Sequence, residues 1–351
     1  MERKKKTTLE QIARKVNCSK SVVSRALNNK YGVSDETKNR IFVAAMEMGY
    51  EFDRVYTAHH RSGRSDIGYI SVVLPKVNLL DDKFYGQMVC GIEEVLNQQN
   101  VNFCLNMVET MNRHDIIDTL HRTNVSGVIV LGLVSYESVA EIIGSGLPVV
   151  LLDTLFNHLR VDRLTINNYN GAVEATEHLL QCGHRNIAFF GDVSFSPNFA
   201  ERYRGMCDTC KDFGEPVRTD CSVISPSQDA RDVMANVKEM RALLARPDRP
   251  TAVLCATDQI GFRLYELAKE AGLSVPQQLS VIGFGNNEQC KWVTPAMTSV
   301  DIPQFMLGKE AANILLKRIK HKDLTPALVQ LDSSLYTRDS VTNLTKKEKV
   351  L

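Results

Sequence analysis

The chain has 351 residues, 44% hydrophobic and 24% charged, a composition that excludes a disordered polymer and leaves room for two or three domains at roughly 100–200 residues each. No run approaches about 18 consecutive apolar residues, which argues against a membrane-spanning helix, and the basic start lacks the apolar stretch of a secretory signal, so a cytoplasmic protein with no membrane partner is expected. The net charge of +1 conceals an asymmetry: residues 1–65 carry 14 Lys and Arg against 7 Asp and Glu, leaving 28 against 34 elsewhere, so the basic head either meets a polyanion or is simply solvated.

In chain order, Thr8 and Gln11 form a capping box ahead of Leu9, Ile12, Ala13 and Val16, an apolar stripe at helical spacing. Ser19 caps a second short helix whose apolar face is Val22, Val23, Ala26 and Leu27. Asn28, Asn29 and Gly32 break the chain. Ser34 then caps a third helix with Asp35 and Glu36 in its first turn, Ile41, Ala44, Ala45 and Met48 as its stripe, and Gly49 as its stop. Two helices joined by a very short turn and buttressed by a third read as a helix-turn-helix domain over residues 1–50. The second helix leaves Lys20, Ser21, Ser24, Arg25 and Asn28 off its apolar face; Arg can grip guanine with two hydrogen bonds, and Ser and Asn suit phosphates.

Residues 51–66 are basic, contain Ser and Gly and show no clear apolar face, which marks an interdomain linker. From Ile67 to about residue 340, apolar strands alternate with amphipathic helices. Strands are expected at Ile67–Leu74, Val101–Val108, Val128–Leu131, Val149–Leu152, Ile187–Phe190, Ala252–Cys255 and Ser280–Phe284. Helices are expected near 84–98, 135–144, 170–181, 200–213, 230–245, 258–271 and 305–320. Such alternation predicts two doubly wound parallel-sheet lobes, with ligands bound where the strand C-termini face the gap. The tail 341–351 is short and basic, too short for the three or four heptads of a coiled coil.

Three ordered blocks, Thr8-Leu9-x-x-Ile12-Ala13, Ser19-x-x-x-Val23-Ser24-Arg25-Ala26-Leu27-Asn28 and Val33-Ser34-x-x-Thr37-Lys38, resemble the LacI/GalR family of bacterial transcription regulators. The resemblance continues through Leu147-Pro148-Val149-Val150-Leu151-Leu152-Asp153, Gly183-His184-Arg185-Asn186, Arg202-x-x-Gly205, Ala256-Thr257-Asp258 and Ser280-Val281-Ile282-Gly283-Phe284. It implies an all-α helix-turn-helix head on an α/β periplasmic-binding-protein-like body, with lobe crossovers near 162–166, 288–297 and 321–328. It implies a repressor that binds a pseudo-palindromic double-stranded DNA operator as a homodimer under control of a small molecule, a carbohydrate or derivative. Lys20, Ser21 and Arg25 are then the base readers, and Thr8, Ser19, Ser24, Asn28, Ser34 and Thr37 the phosphate ligands.

In this family the linker folds into a hinge helix that pushes a leucine into the minor groove. Here His59 stands at that position, followed by His60, which predicts a hinge that enters without an apolar wedge and titrates near about 6.5. The resemblance places Asp153 and Arg202 at the effector, with Asn198 adding a polar contact and Phe84, Tyr85 and Trp292 open to stacking on a sugar or to core packing. Asp258 fits an effector contact or a helix cap. Thr257 stands where the family often has Asn, and Gly285, followed by Asn286, where sugar binders often have Asp. In the head, Gln11 replaces the usual Asp, Asn17 the usual Gly and Val22 the usual Thr, which removes one hydroxyl donor.

No catalytic motif is present, so no enzyme activity is expected. Nine scattered cysteines read as reduced thiols; Cys207-x-x-Cys210 lies in a predicted helix without further ligands, and no metal or cofactor is expected.

Overall fold

The computed structural model describes residues 7–27, 33–34, 37, 40–41, 44–45, 48, 67–75, 82–108, 120, 125–154, 156, 158–215, 218–224 and 236–345. In the head, α1 (Leu9–Lys15) starts at the Thr8–Gln11 capping box in both directions. It ends with the Cys18 amide donating to the Ala13 carbonyl at 3.0 Å and the Asn17 amide to Arg14 at 3.4 Å, the paired bonds of a Schellman turn. That turn needs a left-handed residue, and Asn17 supplies it at φ 54. Glycine does this most cheaply and asparagine next, so Asn17 can hold the turn at a modest cost. The next helix, α2 (Lys20–Leu27), is capped by Ser19, whose hydroxyl accepts from the Val22 amide at 3.3 Å. Ile12, Val23, Ala26, Ile41 and Ala45 are fully or almost fully buried together, and the half-buried Val22 packs against them.

The body has two sheets. The first has strand order β10-β5-β4-β3-β1-β2 and is parallel throughout, with β1 (Tyr69–Pro75), β2 (Phe103–Val108), β3 (Val125–Leu131), β4 (Val149–Leu152), β5 (Asp162–Ile166) and β10 (Leu328–Leu331). The second has order β11-β9-β8-β7-β6, with β6 (Ile187–Phe190), β7 (Ala252–Cys255), β8 (Ser280–Gly285), β9 (Thr298–Asp301) and an antiparallel β11 (Ser334–Tyr336). The central strands are buried along their length, as expected of parallel strands covered on both faces. The covering helices are α3 (Asp82–Gln98), α4 (Tyr136–Gly144), α5 (Asn168–Gln181), α6 (Pro197–Asp212), α7 (Val237–Leu244), α8 (Asp258–Glu270) and α9 (Gln304–Lys320). Where α3 crosses α9, Gly308 lets the backbones touch: a Cβ there would strike the backbone of Met88.

Among the described strands the chain changes sheet three times. It leaves the first after β5, returns between β9 and α9, and crosses again between β10 and β11. The first change adjoins the expected 162–166. The other two lie one strand later than 288–297 and 321–328: residues 288–297 are a turn and loop feeding β9, still in the second sheet, and 321–327 feed β10, still in the first. Both expectations came from the resemblance, and neither strand announces itself in the sequence: β9 (TSVD) is mostly polar, and β10 (LVQL) is a four-residue edge strand open to solvent. The stretch 341–345, expected as tail, belongs to the second lobe. The Thr342 amide donates to Ser280 Oγ at 3.0 Å and the Leu344 amide to the Cys182 carbonyl at 2.8 Å.

His184 anchors the same segment. The Thr342 carbonyl can only accept, so His184 Nε2, 3.1 Å away, donates, and Nδ1 accepts from the Thr251 hydroxyl at 3.0 Å. Burial, chiefly, pulls the imidazole pKa down to about 4.

Candidate functional site

Two clusters carry the polar chemistry. On the head, Lys20, Ser21 and Arg25 are exposed, with Ser21 and Arg25 one helical turn apart on α2. Arg25 folds back along the helix, its Nε 3.4 Å from the Ser21 carbonyl. Thr8, Ser19 and Ser34 each accept a backbone amide at the start of a turn, from Gln11, Val22 and Thr37 at 3.4, 3.3 and 3.3 Å. The Thr8 hydroxyl also donates to Gln11 Oε1 at 3.3 Å and Ser19 Oγ lies 2.9 Å from Ser21 Oγ, so a phosphate oxygen at these caps competes with those neighbours for the hydroxyl proton. Thr37 Oγ1 lies 2.9 Å from Ser34 Oγ, and Ser24 is half-buried on α2. Asn28 and His59 lie outside the described residues. Glu10 escaped the sequence reading: its carboxylate holds Lys20 Nζ at 2.8 Å across the turn.

The second cluster joins the two lobes. Asp153 ends β4 in the first lobe at φ 57, a left-handed conformation that asparagine and aspartate tolerate better than other side chains. Asn198 Nδ2, from α6 in the second lobe, donates to Asp153 Oδ1 at 2.8 Å. Asn168 Nδ2 donates to Asn198 Oδ1 at 3.1 Å, and Arg202 Nε donates to Asn168 Oδ1 at 2.8 Å. Arg202 Nη1 reaches the Ala256 carbonyl at 2.5 Å, and its guanidinium lies 3.8 Å from the centre of the Phe284 ring. Asp153, Asn198 and Arg202 are 6%, 8% and 4% exposed, so each hydrogen bond here replaces water that the group has lost. Burial raises the Asp153 pKa to about 6, against the opposing pull of Arg202, Asn198 and Tyr85. Burial likewise lowers Arg202 to about 10, against Asp153 and Asp258. The structure thus brings Asp153, Asn198 and Arg202 into one chain and adds Asn168, whose place at the start of α5 looks in sequence like an ordinary capping residue.

The other predicted effector residues have partners of their own within the second lobe. Thr257 caps α8, accepting from the Ile260 amide at 3.3 Å, so the cap is Thr257 and not Asp258. Asp258 is 1% exposed and turns toward the end of β8 and its loop, accepting from Ser299 Oγ at 2.5 Å and the Asn287 amide at 2.6 Å; burial raises its pKa. Gly285 sits at φ 127, and a Cβ there would lie 3.2 Å from Asp258 Oδ2. Asn286 is held by Asp301 at 2.8 Å and Arg338 at 2.7 Å. Phe84 and Tyr85 pack edge to face, 5.0 Å between centres, while Trp292 is 77% exposed. Ligand-type atoms also converge at Asp220, Cys221 and Asp248, but Arg218 and Arg246 already occupy both carboxylates at 2.7–3.1 Å. All nine cysteines are free thiols, and no described helix is long and apolar enough to cross a membrane.

Residues 8–52 match the model of bacterial regulatory proteins of the lacI family, and residues 176–341 match the periplasmic binding protein-like domain. Over its first residues the chain is thus similar to the bacterial regulatory proteins of the lacI family. It is a DNA-binding transcription regulator with a periplasmic-binding-protein-like α/β body. This regulator is 27% identical to catabolite control protein A of Priestia megaterium over 337 residues, covering 95% of the chain and 98% of that protein. It is 26% identical to the transcriptional repressor PurR of Actinobacillus pleuropneumoniae, covering 97% and 99%. Among solved structures, the regulator CelR in complex with cellobiose superposes with a TM-score of 0.70 at 25% identity, covering 95% of the chain and all (100%) of CelR. These relatives are transcription regulators, not enzymes.

Proposed function

We propose that the protein is a repressor that binds a pseudo-palindromic operator as a homodimer and is controlled by a carbohydrate or carbohydrate derivative between its lobes. Lys20, Ser21 and Arg25 read base edges; Thr8, Ser19, Ser24, Asn28, Ser34 and Thr37 hold phosphates; His59 enters the minor groove. The observation that carries the reading is the buried chain from Asp153 to Arg202, which spans both lobes of a body attached to a DNA-reading head. A ligand that inserts its own hydroxyls or oxygens into that chain changes how the lobes meet, and any differential affinity for two lobe arrangements becomes a change in operator affinity. The PurR name supports repression, and the cellobiose bound to CelR supports a carbohydrate.

Thr257 and Asn286 are committed to a cap and to Asp301 and Arg338, and Gly285 has no side chain. These three positions therefore offer few acceptors for hydroxyl protons, while Glu201 Oε2, on the helix that carries Asn198 and Arg202, is a buried acceptor without a hydrogen-bond partner. Selection from a random duplex pool at physiological salt tests the whole reading. The expected product is a palindrome with fixed half-site spacing. Recovery of no motif, with or without candidate ligands, contradicts it.

A further inference from the structure

The Glu10–Lys20 pair stands out on the head by its position. Both side chains are about three-fifths exposed, at 61% and 60%, and ion pairs so open to water add little to stability. Yet the pair bridges ten residues, from the first turn of α1 to the first residue of the helix that carries Ser21 and Arg25. Glu10 thus places a carboxylate beside residues proposed above to meet DNA. A negative charge there repels DNA unless a base offsets it. The major groove holds the offsetting group: the N4 amino group of cytosine donates to carboxylates, as guanine O6 and N7 accept from lysine.

We propose that Glu10 is a specificity-determining residue and that Glu10 and Lys20 act as one base-reading unit. On DNA of the wrong sequence they hold each other. At the right G·C pair they separate, Lys20 to guanine and Glu10 to cytosine. The proposal rests on Lys20 being a base reader, as in the function proposed above. It gives Glu10 two effects. While paired, it cancels the Lys20 charge, so Lys20 releases no counterion on non-specific DNA. When the pair opens, it penalises any base pair lacking a cytosine amino group in reach.

The test uses the full-length protein, with wild type, Glu10→Gln, Glu10→Asp and Lys20→Ala. Each is put through duplex selection and through titration of one scrambled duplex across 50–200 mM salt. Glu10→Gln is expected to lose preference at one G·C position per half-site, the same position that Lys20→Ala loses, with the remaining motif intact. On the scrambled duplex it should bind more tightly at low salt. Its log–log salt slope should steepen by about 0.9, an extra loss of about 3.5-fold across that range. Glu10→Asp should keep the shallower slope. A full motif retained by Glu10→Gln, or a slope equal to wild type, overturns the proposal while leaving the DNA-reading head in place. A wild type that selects no motif overturns both. Unchanged thermal melting of the exposed Glu10 variants separates base reading from a folding defect.

Discussion

The head and the junction between the lobes are both rich in polar side chains, but water treats them oppositely. Lys20 and Glu10 retain about 60% of their exposure, whereas Arg202 retains 4% and Asp153 6%. An exposed polar group can change partner at little cost, and that is what reading DNA requires. A buried one is fixed by the loss of water if its partner goes, and that is what holding two lobes in one arrangement requires. Substitutions should therefore separate the two regions: head variants should change DNA binding with little change in stability, and junction variants should change stability and ligand response together.

The largest effect is expected at the junction. Arg202→Ala leaves the Asn168 and Ala256 oxygens unpaired in a space packed by Phe284, and should destabilise the body by about 3–5 kcal/mol in urea unfolding, with Arg202→Lys recovering part. A loss below about 1 kcal/mol would mean that the chain of hydrogen bonds is incidental. Next is Arg25→Ala, expected to lose about 1–3 kcal/mol on the operator and to relax one base position while urea unfolding stays at wild type. An equal loss on scrambled DNA would make Arg25 a phosphate ligand instead. Smaller still is Asn17→Ala, which forces a residue with a Cβ and no local hydrogen-bonding side chain into φ 54 and should cost about 1 kcal/mol of head stability, while Asn17→Gly should be close to neutral. A neutral Asn17→Ala would remove the reason given for asparagine at this turn.

The pH dependence of the body should show two opposed contributions. His184 is held neutral, its folded pKa near 4 below the ordinary 6.5, so its contribution is complete above pH 6.5 and is lost as pH falls toward 4. Asp153 behaves in reverse: with its folded pKa near 6 above the ordinary 3.8, its contribution is complete below pH 3.8 and is lost as pH rises through 6. Urea unfolding between pH 4 and 7 should thus become more acid-sensitive in Asp153→Asn and less so in His184→Gln. Identical pH profiles for both variants and wild type would contradict the two burial arguments.

The head was legible because its signals are local. The Thr8–Gln11 box, the Ser19 cap and the apolar stripes each lie within a few residues, and the structure places them as the spacing predicts. The strong strands of the body were legible for the same reason. The weak ones were not: β5, β9, β10 and β11 carry polar residues or pair at an edge, and their place comes from long-range pairing such as Leu328 with Arg163 and Tyr336 with Ser299. Asp153, Asn198 and Arg202 could be named from resemblance, but not the hydrogen bonds that join them. Asn168 was hidden because an asparagine at the first position of a helix, beside the capping Asn167, draws no attention in sequence. Thr257 and Gly285 read as weakened ligand contacts; the Thr257 side chain is spent on a helix cap, which no sequence pattern reveals.

The central claim is that the buried chain between the lobes is where a small molecule engages and where its binding is converted into operator affinity. The direct measurement is operator affinity of wild type and Asn198→Ala, each with and without a panel of mono- and disaccharides, sugar phosphates and uronic acids. Asn198 is the link between Asp153 and Asn168, and the variant's folding is monitored by urea unfolding in parallel. The account predicts that at least one compound shifts wild-type operator affinity by about 5-fold or more and that folded Asn198→Ala loses most of that shift. A shift of equal size in the variant, or none in wild type across the panel, would contradict it.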